Sequence, residues 1–332
     1  MPRKSTLKDV ADAVGVSPST VSKVLSGTAR VSVETRLRIE QAIEDLHYIP
    51  NVVARGLVQG QTYCIGVVTQ AISSPFYGAA MLGVQEALDD TEYAPLYMDG
   101  RWMPRREEQA LGRMMGRVDG IIVLGGRLDD DRVAHYARRV PLICVGRKIE
   151  GLEHQSLMVD NDAGARLAVE HLLELGHRKI AHIAGSPQQP DAEARKQTYL
   201  NLLQAEGIEV KPSWIVHGDF REQSGTLAML QLLESGERFS AVFCANDQMA
   251  YGAMLALYRA GLRVPEDVSL IGFDDAYTSS FVLPPLTTVH QPMEEAGRAA
   301  AQGMLDLLEG KDINLGHLKP RLIVRESVRA HW

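Results

Sequence analysis

Apolar residues in the first 46 positions recur with the 3.6-residue period of helices. Leu7, Val10, Ala11 and Val14 fall at i, i+3, i+4 and i+7. Val21, Val24 and Leu25 make a second inward set, and Ile39, Ala42, Ile43 and Leu46 a third. The residues between these sets are punctuation. Thr6 is an N-cap with Asp9 in the acidic slot of a capping box. Gly15 stands where a left-handed residue stops the first helix. Ser17 caps the second helix, and Pro18 suits its first position, where no N–H is needed. Ser32 caps a third helix, from about Val33 to Leu46, that covers the other two. Ser19, Thr20, Ser22 and Lys23 are left on the outside of the second helix. Short hydroxyls and one cation, held out from a small core, suit a DNA major groove. A solvated helical hairpin would also be polar outside, but it does not explain the paired cap-turn-cap signals. Arg30, in the loop before the third helix, can reach a phosphate.

The helical signal then weakens. Pro50 ends the preceding structure, and Asn51 can cap one further turn or two to about Leu57. So short a helix is marginal in water and needs a surface to fold on. Gly56 and Gly60 make residues 51–62 a linker. From Tyr63 onward, apolar runs of strand length alternate with amphipathic helices. The runs are 64–68, 95–98, 120–124 and 141–145, and the rhythm restarts at 179–184, 214–217, 241–245 and 268–273. Helices are expected at Gly78–Asp90, Glu107–Gly116, Ala163–Gly176, Ala194–Gly207 and Gln248–Gly261. Strands with no polar alternation are buried on both faces, which means parallel α/β sheets. Two such series make two similar lobes, with ligands at the strand C-terminal edges that face each other across a cleft.

Composition adds limits. With 332 residues, 45% hydrophobic and 23% charged, the chain is long enough for two or three cores. It has no apolar run near the ~20 residues of a membrane span. Met1-Pro-Arg-Lys leads straight into a polar helix, so no signal segment is expected. Cys64, Cys144 and Cys244 sit apart in apolar runs and read as buried reduced thiols of a cytoplasmic protein. No metal site or cofactor is expected. The net charge of −7 hides an asymmetry. Residues 1–38 carry seven Lys and Arg against three Asp and Glu, or +4, leaving −11 for the rest. Local charge at the phosphates decides DNA binding. Enzyme signatures are missing: there is no G-x-G-x-x-G, Walker loop, H-E-x-x-H or G-x-S-x-G. His171, His177 and His182 read as scattered surface or strand-end residues, and the Asp274-Asp275 pair is expected to have no histidine or nucleophile placed beside it. Asp247 is expected to cap the helix beginning at Gln248.

The chain resembles the lactose repressor and purine repressor family of bacterial transcription regulators. The resemblance starts with Thr6-Leu-Lys-Asp-Val-Ala and Thr20-Val-Ser-Lys, and runs through Val31-Ser-Val-Glu-Thr-Arg and Leu46-His-Tyr-Ile-Pro-Asn to Ala54-Arg-Gly-Leu57. It resumes with Val159-Asp-Asn-Asp-Ala-Gly, Ala245-Asn-Asp-Gln-Met-Ala and Gly261-Leu-Arg-Val-Pro through Asp275. It covers nearly the whole chain. It implies an all-α helix-turn-helix headpiece over residues 1–50, a hinge helix and linker over 51–62, and a two-lobed α/β body over 63–332, like that of periplasmic sugar-binding proteins. The implied N-lobe takes about 63–160 and 291–320, and the C-lobe about 161–290 and 321–330. Pro18, Ser19 and Lys23 then face bases; Thr20 and Ser22 face phosphates; Thr6, Ser17 and Arg30 complete the headpiece contacts. In the hinge, Asn51, Ala54 and Arg55 join them, and Leu57 wedges into a minor-groove step. From the residues alone, Leu57 can equally pack on the body. For the effector, the resemblance implies Arg195, Phe220, Asn246, Asp274 and Gln291, with Phe76, Tyr77, Arg127, Arg147 and Asp160 from the other lobe. Asp160 can equally cap a helix. Arg147 stands where a carboxylate is common in sugar-binding members, which would suit an anionic or differently oriented sugar.

The expected function is therefore a ligand-controlled repressor of sugar uptake or catabolism genes. It binds a palindromic operator as a homodimer, with a small carbohydrate in the cleft. The surfaces around Gly78–Asp90 and Glu107–Met115 are where the dimer would respond to lobe movement. The chain stops soon after a last strand at Arg321–Val324, so no tetramer-forming tail is expected. A purine or nucleoside effector is the alternative ligand. A stand-alone sugar-binding protein and an α/β enzyme are the alternative functions.

Overall fold

The computed structural model describes residues 5–25, 29–48 and 60–331. The chain divides into two compact units, residues 1–63 and 64–332. The first holds α1 (Leu7–Val14), α2 (Pro18–Leu25) and α3 (Val33–Asp45) around Val10, Ala11, Val14, Val21, Val24 and Ile39. Leu7, Leu25, Ala42, Ile43 and Leu46 are only half-buried, because three short helices have too little surface to enclose them. The Arg38 guanidinium donates to the Val14 carbonyl (2.9 Å), tying α3 to the open end of α1.

The second unit is built of two α/β/α sandwiches. In the first, β1 (Cys64–Thr69), β2 (Ala94–Asp99), β3 (Gly120–Leu124), β4 (Leu142–Val145), β5 (Ser156–Val159) and β11 (His317–Leu318) form one parallel sheet, ordered β11-β5-β4-β3-β1-β2. Ile122 and Leu124 face α4 (Pro75–Leu88) and α11 (Met293–Leu308). Ile121 and Val123 face α5 (Pro104–Met114) and α6 (Asp130–Ala137). Burial on both faces is why these strands read as unbroken apolar runs. In the second, β6 (Ile180–Ala184), β7 (Ile215–His217), β8 (Ala241–Cys244) and β9 (Ser269–Ile271) form a parallel sheet, ordered β7-β6-β8-β9. It lies between α7 (Asn161–Glu174) with α8 (Pro190–Ala205), and α9 (Glu222–Glu234) with α10 (Asp247–Arg259). The chain recrosses between lobes through β10 (Thr288–His290) and β12 (Arg321–Ile323), which pair antiparallel.

All five predicted helices of the body begin earlier than expected, three of them by a prolyl turn. α4, α5 and α8 start at Pro75, Pro104 and Pro190, because proline presets helical φ and its missing N–H costs nothing in the first turn. Two of the three histidines are not surface residues. His182 is fully buried, stacked between Tyr199 and Phe243, with Nδ1 2.8 Å from the Phe243 carbonyl. His177 is buried between the Ser240 hydroxyl and the Arg329 carbonyl. Cys144 and Cys244 are buried, but Cys64 is half-exposed at the start of β1.

Each lobe contains one pair of helices in backbone contact through glycines. Any Cβ on Gly83 or Gly297 would strike the carbonyl oxygen of Glu294 or Ala80. In the other lobe, Gly225 and Gly252 stand likewise against the Met249 and Glu222 carbonyls. Backbone cannot swing aside as a flexible side chain can, so Gly252→Ala should cost about 3 kcal/mol, the upper end for overpacking. Gly78→Ala, on an open stretch of α4, should cost nothing and can gain up to ~1 kcal/mol. Urea denaturation of both variants checks this. Equal midpoints would refute the close-packing account.

Candidate functional site

Two groups of predicted residues lie in the described regions, one in each unit. In the first unit the caps form as the sequence predicts. The Thr6 N–H donates to Asp9 Oδ2 (2.8 Å), and the Asp9 N–H donates back to Thr6 Oγ1 (3.3 Å). Gly15 adopts φ +74° and ends α1. The Ser17 hydroxyl accepts from the Thr20 N–H (3.1 Å) and lies 2.8 Å from the hydroxyls of both Ser19 and Thr20. Three hydroxyls thus crowd the N-terminus of α2, where the helix dipole favours an anion such as phosphate. Val21 and Val24 anchor the helix inward, leaving Pro18, Ser19, Ser22 and Lys23 exposed. Arg30 is exposed as well. The hinge residues Asn51, Ala54, Arg55 and Leu57 lie outside the described residues.

In the body, a cavity of about 390 Å³ opens at the strand C-terminal edges of both sheets. One wall is aromatic. Phe76 and Tyr77, at the start of α4, meet edge to face at 5.1 Å, and Trp102 lies 6.3 Å from Tyr77. Phe220, Asn246, Asp274, Asp191 and Arg195 line the other lobe's side. Arg195 is 3% exposed. Its Nε donates to Asn161 Oδ1 (2.9 Å), its Nη1 donates to the Ala245 carbonyl (2.5 Å), and its guanidinium carbon sits 3.8 Å from the Phe273 ring centre. Asn246 caps α10, accepting from the Met249 N–H (3.0 Å), and donates to the Phe220 carbonyl (3.0 Å). Arg101, Trp102, Phe220 and Asp274 all hold positive φ, and all four line the cavity. Strain of this kind in non-glycine residues concentrates where a fold positions groups for a ligand.

The remaining predicted residues fall elsewhere. Gln291 does not line the cavity; it is buried behind Asp274 and donates to its Oδ1 (2.7 Å). Arg127, Arg147 and Asp160 line a second chamber of about 860 Å³, which shares Trp102 and Asp191 with the first. There Asp160 caps α7, accepting from the Ala163 N–H (2.8 Å). Arg147 is engaged by Asp130, by the Leu128 carbonyl (2.6 Å) and by buried Glu107 (3.5 Å). Its charge therefore holds the 125–130 loop. Asp247 is not the helix cap. It is fully buried and accepts from the Ala276 N–H (2.8 Å), the Ser279 hydroxyl (2.5 Å) and the Thr288 hydroxyl (2.5 Å). A histidine does stand beside the Asp274-Asp275 pair. His290 lies 3.0 Å from Asp275, whose other oxygen accepts from Arg325 (2.7 Å), so this carboxylate is committed to the interlobe strands.

Gln70, Trp102, Gln189 and Asp191 also line the cavity and were missed. Gln70 directly follows β1, so the strand-edge rule applied to β1 would have found it. Gln189 and Asp191 flank the start of α8, a boundary misplaced when Pro190 was passed over.

Burial, with the neighbouring Asp247 charge, pushes the Asp274 carboxyl up to about 8 against the opposing pull of Arg195. Burial also raises Asp191. A carboxyl raised in the folded state stabilises at low pH, and that contribution is lost as pH rises from its ordinary range toward 8. Burial pushes His182 down to about 3 and His177 to about 4, so these two destabilise as pH falls below ~6.5. Asp274→Asn should therefore raise the ligand-free melting temperature at pH 8 by about 2–4 °C, flatten the alkaline limb and leave the acid limb in place. Thermal melts from pH 5 to 9 check this; an unchanged alkaline limb would refute it.

Residues 6–51 match the profile of bacterial regulatory proteins of the lacI family, and residues 169–328 match the periplasmic binding protein-like domain. The chain is 36% identical over 330 residues to the HTH-type transcriptional repressor CytR of Escherichia coli (strain K12), covering 98% of this chain and 97% of that one. It is similar to the lac repressor dimer bound to operator and the anti-inducer ONPF, with TM-score 0.88, 31% identity, and coverage of 99% and 100%. It is also similar to the complex of the transcriptional regulator CelR with cellobiose, with TM-score 0.72, 34% identity, and coverage of 97% and 99%. These relatives are regulators rather than enzymes. The chain belongs to the lacI family of bacterial regulatory proteins and is a DNA-binding transcriptional repressor with an effector-binding body.

Proposed function

We propose that this repressor binds a palindromic operator as a homodimer and is controlled by a small carbohydrate held in the interlobe cleft. The observation that carries the ligand class is the cavity itself: Phe76, Tyr77 and Trp102 on one wall, with Arg195, Asn246 and Asp274 across it. Aromatic faces cover the C–H groups of a sugar, while Asp, Asn and Arg pair with its hydroxyls. The cellobiose bound by CelR supports the same class. The three rings are also what a nucleobase would stack on, so nucleosides belong in any ligand screen.

On DNA, Pro18, Ser19 and Lys23 face base edges, with Lys23 reaching guanine acceptors and Pro18 a thymine methyl. Thr6, Ser17, Thr20, Ser22 and Arg30 hold phosphates. Asn51, Ala54 and Arg55 join from the hinge, and Leu57 enters the minor groove. The operator-bound lac repressor dimer supports the two-fold arrangement. Ligand in the cleft shifts the lobes, and the spacing of the two hinges follows, a coupling of typically ~1–3 kcal/mol. Arg147, with Arg127 in the loop itself, acts on the ligand from the second chamber by setting the shape of the 125–130 loop, while Asp160 caps α7 there.

Lys23→Ala should weaken operator binding by about 1–3 kcal/mol, or roughly 5- to 150-fold. A chain lacking residues 1–60 should lose operator binding altogether while keeping its response to sugars. Fluorescence anisotropy on operator DNA across a salt series tests both. Equal DNA affinity of the truncated and full chains would overturn the proposal.

A further inference from the structure

β1, β3 and β4 are parallel neighbours, and their starts share the edge of the sheet opposite the cavity. The Asp119 N–H donates to the Cys64 carbonyl (2.8 Å), joining the start of β3 to that of β1, and the Ile121 N–H donates to the Pro141 carbonyl (2.9 Å) before β4. α5 and α6 both end at this edge, side by side: the Tyr136 hydroxyl lies 3.5 Å from the Glu108 carbonyl. Arg113 stands in the last turn of α5 and Arg117 just past it; Arg138 ends α6 and Arg139 follows. All four are exposed, and none pairs with a carboxylate among the described residues. Their field is concentrated: Arg139 foremost, with Arg138 and Arg132, holds the His135 ring below the ordinary histidine range. A helix C-terminus favours a cation, which Arg113 and Arg138 supply. Arg117 and Arg139 lie past the last turns and have no such role. Exposed carboxylates bound the patch, Asp89, Asp90 and Glu92 before β2 and Glu150 and Glu153 before β5. Asp119 is half-buried beside Cys64, and Glu108 is taken by Arg132.

We propose that Arg117, Arg138 and Arg139 form a second DNA contact on the body, independent of base sequence, which takes backbone phosphates of the duplex flanking the operator. This goes beyond the headpiece and hinge contacts and rests on the reading that the chain binds an operator. Guanidinium forks match phosphate oxygens, and each phosphate they neutralise releases condensed counterions. The chain outside its first 38 residues carries −11, so an unpaired cationic edge departs from the body's own field. Connectivity selects DNA as the occupant. β1 begins at this same edge, so the chain enters the body beside the arginines. From Tyr48 to Cys64 it spans at most ~55 Å even when fully extended, so a duplex held by the headpiece stays within that tether. Tethering raises the local concentration of phosphate at the patch, whatever the flanking sequence. An acidic protein surface has no such tether.

The test uses the full chain and an operator selected from random duplexes. The operator is presented as a short duplex that ends with it and as a long one carrying about two extra helical turns on each side. Affinity is read by fluorescence anisotropy across a salt series. Wild type should bind the long duplex at least fivefold more tightly than the short one, with either of two unrelated flanking sequences. Arg117→Gln, Arg138→Gln and Arg139→Gln together should remove that advantage and make the salt slope on the long duplex shallower by about 2. The same variant should bind the short duplex within twofold of wild type, which also reports an intact fold and headpiece. Lysine at the same three positions should keep the advantage, because an ammonium still pairs with phosphate. If flanking DNA adds nothing for wild type, the inference is overturned. It is overturned as well if the glutamine variant keeps the long-duplex advantage, the result expected of arginines that serve an acidic protein. Equal weakening on both duplexes would assign the arginines to folding or assembly and overturn it too. If wild type selects no operator at all, the operator reading fails first and takes this inference with it.

Discussion

A single buried cation holds the effector cleft together. Arg195 leaves water almost entirely, at 3% exposure, and such burial is tolerated only where its N–H groups and its charge are met. Asn161 at the start of α7 and Ala245 at the end of β8 accept its hydrogen bonds, and Phe273, just past β9, lies under its flat face. One side chain from α8 thus binds the ends of three other elements. The charges of Asp191 and Asp274 oppose its loss of water. In return, Arg195 moderates carboxyls that burial would otherwise push up further. Once this cation is placed, the C-lobe side of the cavity follows from it.

The second constraint is that the backbone crosses between lobes close to the cavity. Asp274, just past β9, holds a positive-φ conformation and is held from behind by Gln291, whose own N–H donates to the Asp274 carbonyl (3.3 Å). Asp275, next in the chain, spans His290 at the end of β10 and Arg325 just past β12. Asp247 collects three donors beneath them. A cleft residue, its positioning partner and the interlobe strands are therefore one hydrogen-bonded network. Asp274 on the cavity is thereby tied to the strands that join the lobes.

Much of this was legible from residue order. The capping box at Thr6, the stop at Gly15 and the cap at Ser17 depend on neighbours three to five positions away, so local chemistry was enough to place α1 and α2. Unbroken apolar runs announced parallel sheets, because strands covered on both faces have no polar alternation to show. Family resemblance pointed to Asn246 and Asp274, and the strand-edge rule agrees, since both follow strands that end at the cavity. Family resemblance added Arg195 and Phe220.

Other features depended on partners distant in sequence. Asp247 looked like a helix cap because it precedes Gln248. It proved to be a buried acceptor because Ser279 and Thr288, 32 and 41 residues away, converge on it. Arg147 looked like a ligand contact until Glu107 and Asp130 were brought against it. His182 looked like a strand-end residue until Tyr199 and Phe243 closed over it. Gln70 and Gln189 are unremarkable letters 119 positions apart, and only the meeting of two lobes makes them face one cavity. By itself the sequence determined the elements, their caps and the class of fold, because short-range hydrogen bonding and the period of burial are written locally. Tertiary structure alone decided which polar groups are paired and which are left open to a ligand, because that pairing is settled by groups the chain brings together from far apart.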